Sequence, residues 1–193
     1  MQLIGITGFI GSGKTTIGQI LNDLGFVVFD MDVWCRKMYF EEEFLNIIRK
    51  HFPQTFNQNN FNKKKLRELV FNNQKELDKL ESLTHPYLKK KFLEVIHKNR
   101  FNPYVFFIES ALLFKMGLDR YCSNIIITTA PYDVMEKRVI FRDKITSQDF
   151  EKIFKAQYNQ IKQDDNYIII DTDQSLNTLK ANILQILNGV EIC

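Results

Sequence analysis

An eight-residue segment near the amino terminus constrains the fold more than any other part of the chain. Residues 8–15 read GFIGSGKT and match the pattern G-x-x-x-x-G-K-[ST]. An apolar segment at 3–7 precedes them, and a helical pattern with Ile17, Leu21 and Leu24 on one face follows. Strand, glycine-rich loop and helix form the context in which this pattern, the P-loop, binds the phosphates of a nucleoside triphosphate.

The motif predicts a role for each polar residue in it. The glycines let successive backbone N–H groups point into one concavity, and the helix adds its positive N-terminal end. We expect Lys14 to contact the β- and γ-phosphates during catalysis, and the Thr15 hydroxyl to ligate Mg²⁺. The alternative is a chance match in a glycine turn. The motif therefore places the loop glycines, Lys14 and Thr15 at the phosphates of a nucleoside triphosphate.

Five short apolar runs rich in β-branched and aromatic residues recur along the chain, and helical patterns follow them. Four of the runs, at 27–29, 105–108, 125–127 and 168–170, are continuous rather than alternating, which indicates strands buried on both faces of a parallel sheet. The sequence therefore predicts a three-layer α/β fold with a five-stranded parallel sheet. The predicted strands lie at about 2–7, 26–30, 104–109, 124–129 and 167–171.

Two helical segments interrupt this alternation. Residues 33–103 read as helix apart from a polar loop at 53–60, and Pro86 is expected to kink or divide the longest helix. Residues 144–164 form a second, polar helical segment between the last two strands. We predict a single P-loop kinase-like domain over 1–193, in which 33–103 is an inserted helical acceptor-binding subdomain and 144–164 is a lid.

Composition and missing motifs exclude several classes of protein. A content of 45% apolar and 25% charged residues argues for a packed core, and a net charge of +3 is mild for a nucleic-acid or membrane coat. The cysteines Cys35, Cys122 and Cys193 show neither a disulfide framework nor a metal pair, so we expect reduced thiols in the cytoplasm. No apolar run is long enough to span a bilayer. The absence of N-K-x-D and D-x-x-G strings argues against a GTPase.

The second predicted strand ends in Asp30-Met31-Asp32, where open α/β sheets bind ligands. Because side chains alternate along an extended chain, we expect Asp30 and Asp32 to point to the same side. A carboxylate facing the acceptor hydroxyl often assists phosphoryl transfer, and Asp32 is the candidate for this base. The alternative is that both aspartates only cap the next helix.

Other charged residues are candidates for phosphate chemistry. Glu109 ends the third strand, where a Walker B carboxylate would bind Mg²⁺ through water; a mere strand-end charge is the alternative. Arg138 and Arg142 lie on a predicted helix before the lid, and either can stabilise the transferring phosphoryl group or simply suit a helix C-terminus. His85 is either a packed residue or a hydrogen-bond donor to the acceptor.

Several ordered motifs resemble those of the dephospho-coenzyme A kinase family over essentially the full length. Residues 4–16 are similar to that family's I-G-L-T-G-G-I-G-S-G-K-S-T, and residues 24–32 to its L-G-x-x-V-I-D-A-D, with Arg36 after it. Further similarities are Leu83-Thr84-His85-Pro86 to L-x-H-P, Leu112-Leu113-Phe114 to the core of P-L-L-F-E, Arg142-Asp143 and Gln157 in the lid region, and Ile169-Ile170-Asp171 to V-I-D-N.

The resemblance implies transfer of the ATP γ-phosphate to the ribose 3′-hydroxyl of dephospho-CoA, the last step of coenzyme A synthesis. It implies Asp32 as the general base, with ATP and dephospho-CoA as the small-molecule partners. From the mild charge and the lack of a long apolar run we expect no nucleic acid or membrane partner. We expect a monomer or a weak homo-oligomer. The residues that the resemblance places at the acceptor are Thr7, Asp32, Arg36, His85 and Leu112. Those that it places at ATP are Gly11, Ser12, Gly13, Lys14, Thr15 and Thr16.

The chain also departs from the family pattern. Phe9 replaces a P-loop glycine, which is tolerable only where φ is not positive. Glu109 stands where the family usually has Asp, and Ala111 and Lys115 replace the Pro and Glu of P-L-L-F-E. Thr172-Asp173-Gln174 replaces N-x-G after the last strand.

Two other functions stay open at the level of sequence. A nucleoside monophosphate or shikimate-type kinase shares the P-loop, although the first of these should place several arginines around its acceptor, whereas the inserted segment is rich in lysine at 63–65 and 89–91. A nucleotide-binding module without turnover would bind ATP and be indifferent to Asp32→Asn. A nucleic-acid-binding role is weaker, because the basic runs lack interleaved aromatic residues.

Overall fold

The computed structural model describes residues 2–71, 73–158, 161 and 167–189. Three short 3-10 helices in this part of the chain span Met38–Phe40, Pro53–Thr55 and Asp119–Tyr121. In chain order the strands and helices are β1 (Gln2–Gly8), α1 (Lys14–Asp23), β2 (Val27–Asp30), α2 (Met31–Lys37), α3 (Glu42–His51), β3 (Phe56–Asn57), β4 (Asn60–Phe61), α4 (Lys63–Phe71), α5 (Gln74–Asn99), β5 (Val105–Glu109), β6 (Asn124–Thr129), α6 (Tyr132–Asp143), α7 (Ser147–Tyr158), β7 (Ile168–Asp171) and α8 (Leu176–Gly189).

The chain divides into two compact units, residues 1–31 with 99–193, and residues 32–98. The first unit contains a five-stranded sheet in the order β2-β5-β1-β6-β7. Every pairing in it is parallel, with Ile4 opposite Phe107 of β5 and Asn124 of β6. The predicted parallel sheet is therefore confirmed, and each predicted strand matches an observed one to within one residue at either end.

The core of the first unit lies between this sheet and its helices. Continuous apolar strands bury side chains on both faces, as a parallel sheet covered by helices requires. Helix α1 buries one face against the sheet, as its periodicity predicts, and ends before Gly25, whose φ is 89°. The buried cluster includes Ile4, Ile6, Ile17, Leu21, Phe107, Ile126, Leu179 and Ile183.

The strand order places a crevice at the carboxyl end of β1. Its neighbours are β5 on one side and β6 on the other, so chain connections leave the sheet in opposite directions at this point. Open α/β sheets bind ligands at such a switch point. The loop at residues 8–15 begins there, and the ends of β5, β6 and β7 lie along the same edge.

The second unit is mostly helical and has its own core, which includes Phe44, Ile48, Phe52 and Phe92. A short antiparallel hairpin, β3–β4, pairs residues 56–57 with 60–61, so the prediction of an irregular polar loop at 53–60 is wrong for those residues. Strands of two residues are too short to leave a periodic pattern.

Helix α5 runs from Gln74 to Asn99 and contains Pro86, so this proline does not divide the helix, and the alternative of a kink stays a prediction. Proline removes one backbone hydrogen bond, whereas the buried residues Thr84, Tyr87, Leu88 and Phe92 hold the turns on both sides of it. In the part of the chain that the structure describes, no helix is long and apolar enough to cross a membrane.

Candidate active site

The loop between β1 and α1 adopts a conformation that only glycine permits at two positions. Gly11 and Gly13 have φ values of 80° and 86°. A Cβ atom at Gly11 would lie 2.6 Å from the Met135 carbonyl oxygen, and one at Gly13 would lie 2.7 Å from Thr172 Oγ1. Gly13 is the N-cap of α1 and supplies no side-chain cap, so the helix's first N–H groups remain available for phosphate oxygens.

Phe9 does not need the freedom of the glycine that it replaces. Among the described residues other than glycine, only Gln58 and Lys144 have positive φ. The condition for tolerating Phe9 is therefore met. Its ring packs against α7, with centroids 4.7 Å from Phe154 and 6.0 Å from Tyr158.

Lys14 is buried, with 8% of its surface exposed. Its Nζ donates hydrogen bonds to the carbonyl oxygens of Gly8, at 2.9 Å, and Phe9, at 2.8 Å. A buried ammonium needs such acceptors. The first residues of the loop therefore hold the lysine charge directly beside the glycines that form the phosphate cradle.

Thr15 and Glu109 form the candidate metal site. The Thr15 hydroxyl donates to Glu109 Oε1 at 2.8 Å, and Glu109 is 5% exposed at the end of β5. The described residues contain no group of three or more His, Cys, Asp or Glu side chains that could hold a metal. Mg²⁺ suits this pair, since it takes oxygen ligands and is commonly held by one or two protein groups together with substrate phosphates and water.

A line of hydroxyl groups connects the loop to β6. Ser12 Oγ lies 2.6 Å from Thr128 Oγ1, which donates to the Thr7 carbonyl oxygen at 3.2 Å. Thr7 itself is fully buried, and its Oγ1 has no hydrogen-bond partner within the described part of the chain. A buried hydroxyl left unpaired is costly, which fits a group that a ligand satisfies.

Arg138 and Thr172 support the loop from the β7 side. Arg138 donates to the Gly11 carbonyl at 3.3 Å, to Thr172 Oγ1 at 2.9 Å and to the Thr172 carbonyl at 3.0 Å. Thr172 Oγ1 lies 3.0 Å from the Ser12 carbonyl oxygen and 3.1 Å from that of Thr129. Its hydroxyl proton is shared between these acceptors, so the residue that departs from the family pattern is an integral part of the site.

Arg142 lies near the end of α6 and pairs with Asp143 through two hydrogen bonds, at 2.8 and 2.7 Å. These bonds hold the pKa of the Asp143 carboxyl below its usual value. Leu112 is half-buried in the turn after β5, where its N–H donates to Ser110 Oγ at 3.1 Å. Thr16 is exposed on the first turn of α1.

The remaining predicted acceptor residues belong to the second unit. Asp32 and Arg36 are exposed on α2, and His85 is half-buried on α5. The strand ends at Asp30 and the helix begins at Met31. The expectation that Asp30 and Asp32 alternate along extended backbone is therefore wrong, since Asp32 lies in the first turn of a helix.

Charge in this unit acts on the thiol between Asp32 and Arg36. Burial raises the pKa of Cys35, and the Asp32 carboxylate raises it further, while Lys63 and Arg36 oppose this.

Cys193 lies outside the described residues, as do 159–160 and 162–164 of the predicted lid. Sequence reasoning missed Thr128 as a site residue; the available signal is that it stands at the carboxyl end of a strand beside β1.

A glycine loop that opens a helix, with a buried lysine and a threonine–carboxylate pair, on a parallel sheet of this order, is the arrangement of a P-loop kinase. Comparison of the whole sequence with protein families identifies one family within this class. The family model CoaE, dephospho-CoA kinase, matches residues 2–178, and the chain belongs to this family.

A curated relative agrees with this family, and two solved structures share the fold. A dephospho-CoA kinase of Fusobacterium nucleatum is 34% identical over 187 residues, which cover 93% of this chain and 93% of the relative. A solved structure of a Thermus thermophilus protein has a TM-score of 0.79 at 26% identity and covers 98% of this chain and 97% of its own. The fold of the dephospho-CoA kinase from Campylobacter jejuni matches with a TM-score of 0.66 at 24% identity, over 97% of this chain and 96% of its own.

Proposed function

We propose that this protein transfers the γ-phosphate of ATP to the ribose 3′-hydroxyl of dephospho-CoA. The observation that carries the proposal is the loop at residues 8–15, with Lys14 buried beside it and Thr15 bonded to Glu109, in a member of the dephospho-CoA kinase family. The proposal also takes the protein to be cytoplasmic and a monomer or weak homo-oligomer. Cys35 and Cys122 are free thiols, which is consistent with that compartment.

The first unit supplies the nucleotide side of the reaction. Backbone N–H groups of residues 11–16 and the N-terminal end of α1 bind phosphate oxygens. Lys14, held by its carbonyl acceptors, contacts the β- and γ-phosphates, where its charge counters the charge that spreads over the transferring group. Thr15 and Glu109 would hold Mg²⁺, which when bound neutralises charge on the phosphate oxygens.

The acceptor side rests on residues whose roles the family resemblance supplies. In this proposal Asp32 orients the 3′-hydroxyl and accepts its proton, which in a loose transition state leaves late. Thr7, Arg36, His85 and Leu112 contact the acceptor. The segment 33–103 is the acceptor-binding subdomain, 144–164 is the lid, and Arg138 and Arg142 add positive charge near the phosphates.

The test is ADP release from Mg-ATP, with and without dephospho-CoA, by wild type and Asp32→Asn. A matched control is Asp78→Asn, because Asp78 is an exposed aspartate on α5. We expect turnover that depends on dephospho-CoA, a product with one added phosphate at the 3′ position, a fall of at least about 100-fold in Asp32→Asn, and no loss in Asp78→Asn.

Two results would redirect the assignment. Turnover with another small hydroxyl compound, and none with dephospho-CoA, would leave a P-loop kinase of different acceptor. Tight ATP binding without turnover on any acceptor, and with no effect of Asp32→Asn, would indicate a nucleotide-binding module.

A further inference from the structure

One peptide group of the loop is held at both of its polar atoms. The Phe9 carbonyl oxygen accepts a hydrogen bond from Lys14 Nζ at 2.8 Å and another from the Ser12 N–H at 3.1 Å. The Ile10 N–H, on the other side of the same planar group, donates to Gln157 Oε1 at 2.8 Å. Because the peptide is rigid and trans, fixing its N–H also fixes the direction of its carbonyl.

Gln157 reaches this peptide from helix α7, which packs on the loop through apolar contacts as well. The Phe9 ring lies against Phe154 and Tyr158, and Ile10 packs against the buried cluster of Met135, Val139 and Phe150. Gln157 is 147 residues from Ile10 in sequence, so only the folded unit creates this bond. The aromatic contacts place the helix, and the carboxamide selects the orientation of a single peptide.

We propose that Gln157 is a positioning residue for phosphoryl transfer, which acts through the Phe9–Ile10 peptide on the Lys14 ammonium. This inference rests on the proposed function. With the Ile10 N–H held, the Phe9 carbonyl stays aimed at Lys14 Nζ and keeps the lysine at the phosphate cradle. Without Gln157 the peptide is held at its carbonyl alone, by the Ser12 N–H and Lys14, so the acceptor of the ammonium is fixed less firmly. Errors of about 1 Å in placing a catalytic group can cost about 100-fold in rate.

The side chain of Gln157 is neutral, which matters beside a triphosphate. A carboxylate at this position would accept the same hydrogen bond but would add negative charge near the phosphates. In the protein without nucleotide, Gln157→Glu therefore keeps an oxygen that accepts the hydrogen bond from the Ile10 N–H, whereas Gln157→Ala removes it. Gln148 provides a matched control, since it is an exposed glutamine in the first turn of the same helix.

The first measurement is amide hydrogen exchange at Ile10 in the full-length protein without nucleotide. We expect slow exchange in wild type, Gln148→Ala and Gln157→Glu, and exchange at least about tenfold faster in Gln157→Ala. Equal exchange in wild type and Gln157→Ala would overturn the proposal, because the bond would then not restrain the peptide.

The second measurement is steady-state turnover of the same variants. We expect Gln157→Ala to lower kcat at least about tenfold while the KM for dephospho-CoA changes less than about twofold, with Gln148→Ala like wild type. A loss shared by Gln148→Ala, or an unchanged kcat in Gln157→Ala, would contradict a positioning role. If wild type shows no turnover that depends on dephospho-CoA, the proposed function fails, and the role of Gln157 is then decided by Ile10 exchange and by the slow hydrolysis of ATP by water.

Discussion

Individual residues in the first unit have hydrogen-bond partners that give each of them a distinct test. Lys14 is held by two carbonyl groups of the loop, and Thr172 by the carbonyls of Ser12 and Thr129 and by Arg138. The first residue carries a charge that the reaction needs. The second is a neutral group that bonds the loop to the end of β7. Substitution of Lys14 should therefore lower the rate of the reaction, and substitution of Thr172 should lower the free energy of unfolding.

Replacing Lys14 with Met should remove the cation and keep much of the side-chain volume. We expect kcat for ADP formation to fall about 100- to 1000-fold, the loss typical of removing one stabilising donor from a transition state. The control is Lys137→Met, since Lys137 is an exposed lysine on α6 that pairs with Asp133. Turnover by Lys14→Met within a few-fold of wild type would exclude the lysine from the chemistry.

Replacing Thr172 with Val should leave the Ser12 carbonyl and one Arg138 N–H without the Thr172 hydroxyl, whereas the Thr129 carbonyl keeps its hydrogen bond from the N–H of residue 172. Thr172 is 5% exposed, so water does not easily replace the hydroxyl. We expect the free energy of unfolding, measured in urea, to fall by about 1–3 kcal/mol. Thr178→Val, at an exposed threonine of α8, should change it by less than about 0.5 kcal/mol. Equal values for the two variants would show that the Thr172 bonds contribute no stability.

Helix α7 depends on an aromatic cluster that includes a residue of the loop itself. Phe9 packs on Phe154 and Tyr158, and Tyr132 of α6 packs edge-on to Phe154 with a centroid distance of 5.1 Å. A glycine at position 9, which the family pattern favours, would make none of these contacts. The helix is therefore attached to the loop more firmly in this chain than that pattern requires.

The change Phe9→Ala should loosen α7. Aromatic pairs contribute about 0.5–1.5 kcal/mol each beyond the area that they bury, so we expect the free energy of unfolding to fall by about 1 kcal/mol or more. Cleavage within residues 147–158 by a protease at low concentration should become faster. Phe141→Ala is the control, because Phe141 is 78% exposed on α6. If both variants resist cleavage equally, the cluster does not hold the helix.

An ion pair and a hydrogen bond join the start of helix α3 to helix α5 in the second unit. Glu41, the N-cap of α3, accepts a hydrogen bond from Tyr87 at 2.6 Å and pairs with Lys91. Burial acts to raise the pKa of Glu41, but the hydrogen bonds from Lys91 and Tyr87 and the lysine charge outweigh it, and the pKa lies below its usual value.

This pKa shift predicts how stability depends on pH. Because the folded state has the lower pKa, Glu41 stabilises the protein above the ordinary glutamate value and loses that contribution as the pH falls through the folded pKa. Wild type should therefore lose stability on acidification from about pH 5 downward more steeply than Glu41→Gln. Glu68→Gln, at an exposed glutamate of α4, should follow the wild-type slope. Denaturant unfolding at several pH values measures the free energy of unfolding. Parallel curves of this free energy against pH for wild type and Glu41→Gln would refute the linkage.

At the scale of the whole molecule, local sequence signals predicted the architecture well. Continuous apolar runs located β5 and β6 because buried parallel strands exclude polar residues, and the P-loop located α1 because the motif leads from a strand into a helix. The contacts of Thr172 and Gln157 could not be predicted, since their partners at Ser12 and Ile10 are brought near only by the closed fold. The roles of Asp32, Arg36 and His85 stay predictions.

The order of the strands has a consequence for how the chain acquires its structure during synthesis. Strand β1 is made before its partners, residues 105–109 and 124–129, and the whole of the second unit lies between them in the chain. The apolar residues of β1 therefore stay unpaired until those strands are made, and chaperones can bind them during this time. The helices of residues 32–98 have most of their partners close in sequence. Contacts between distant residues form slowly, so the nascent chain should carry a helical middle before it has a nucleotide site at all.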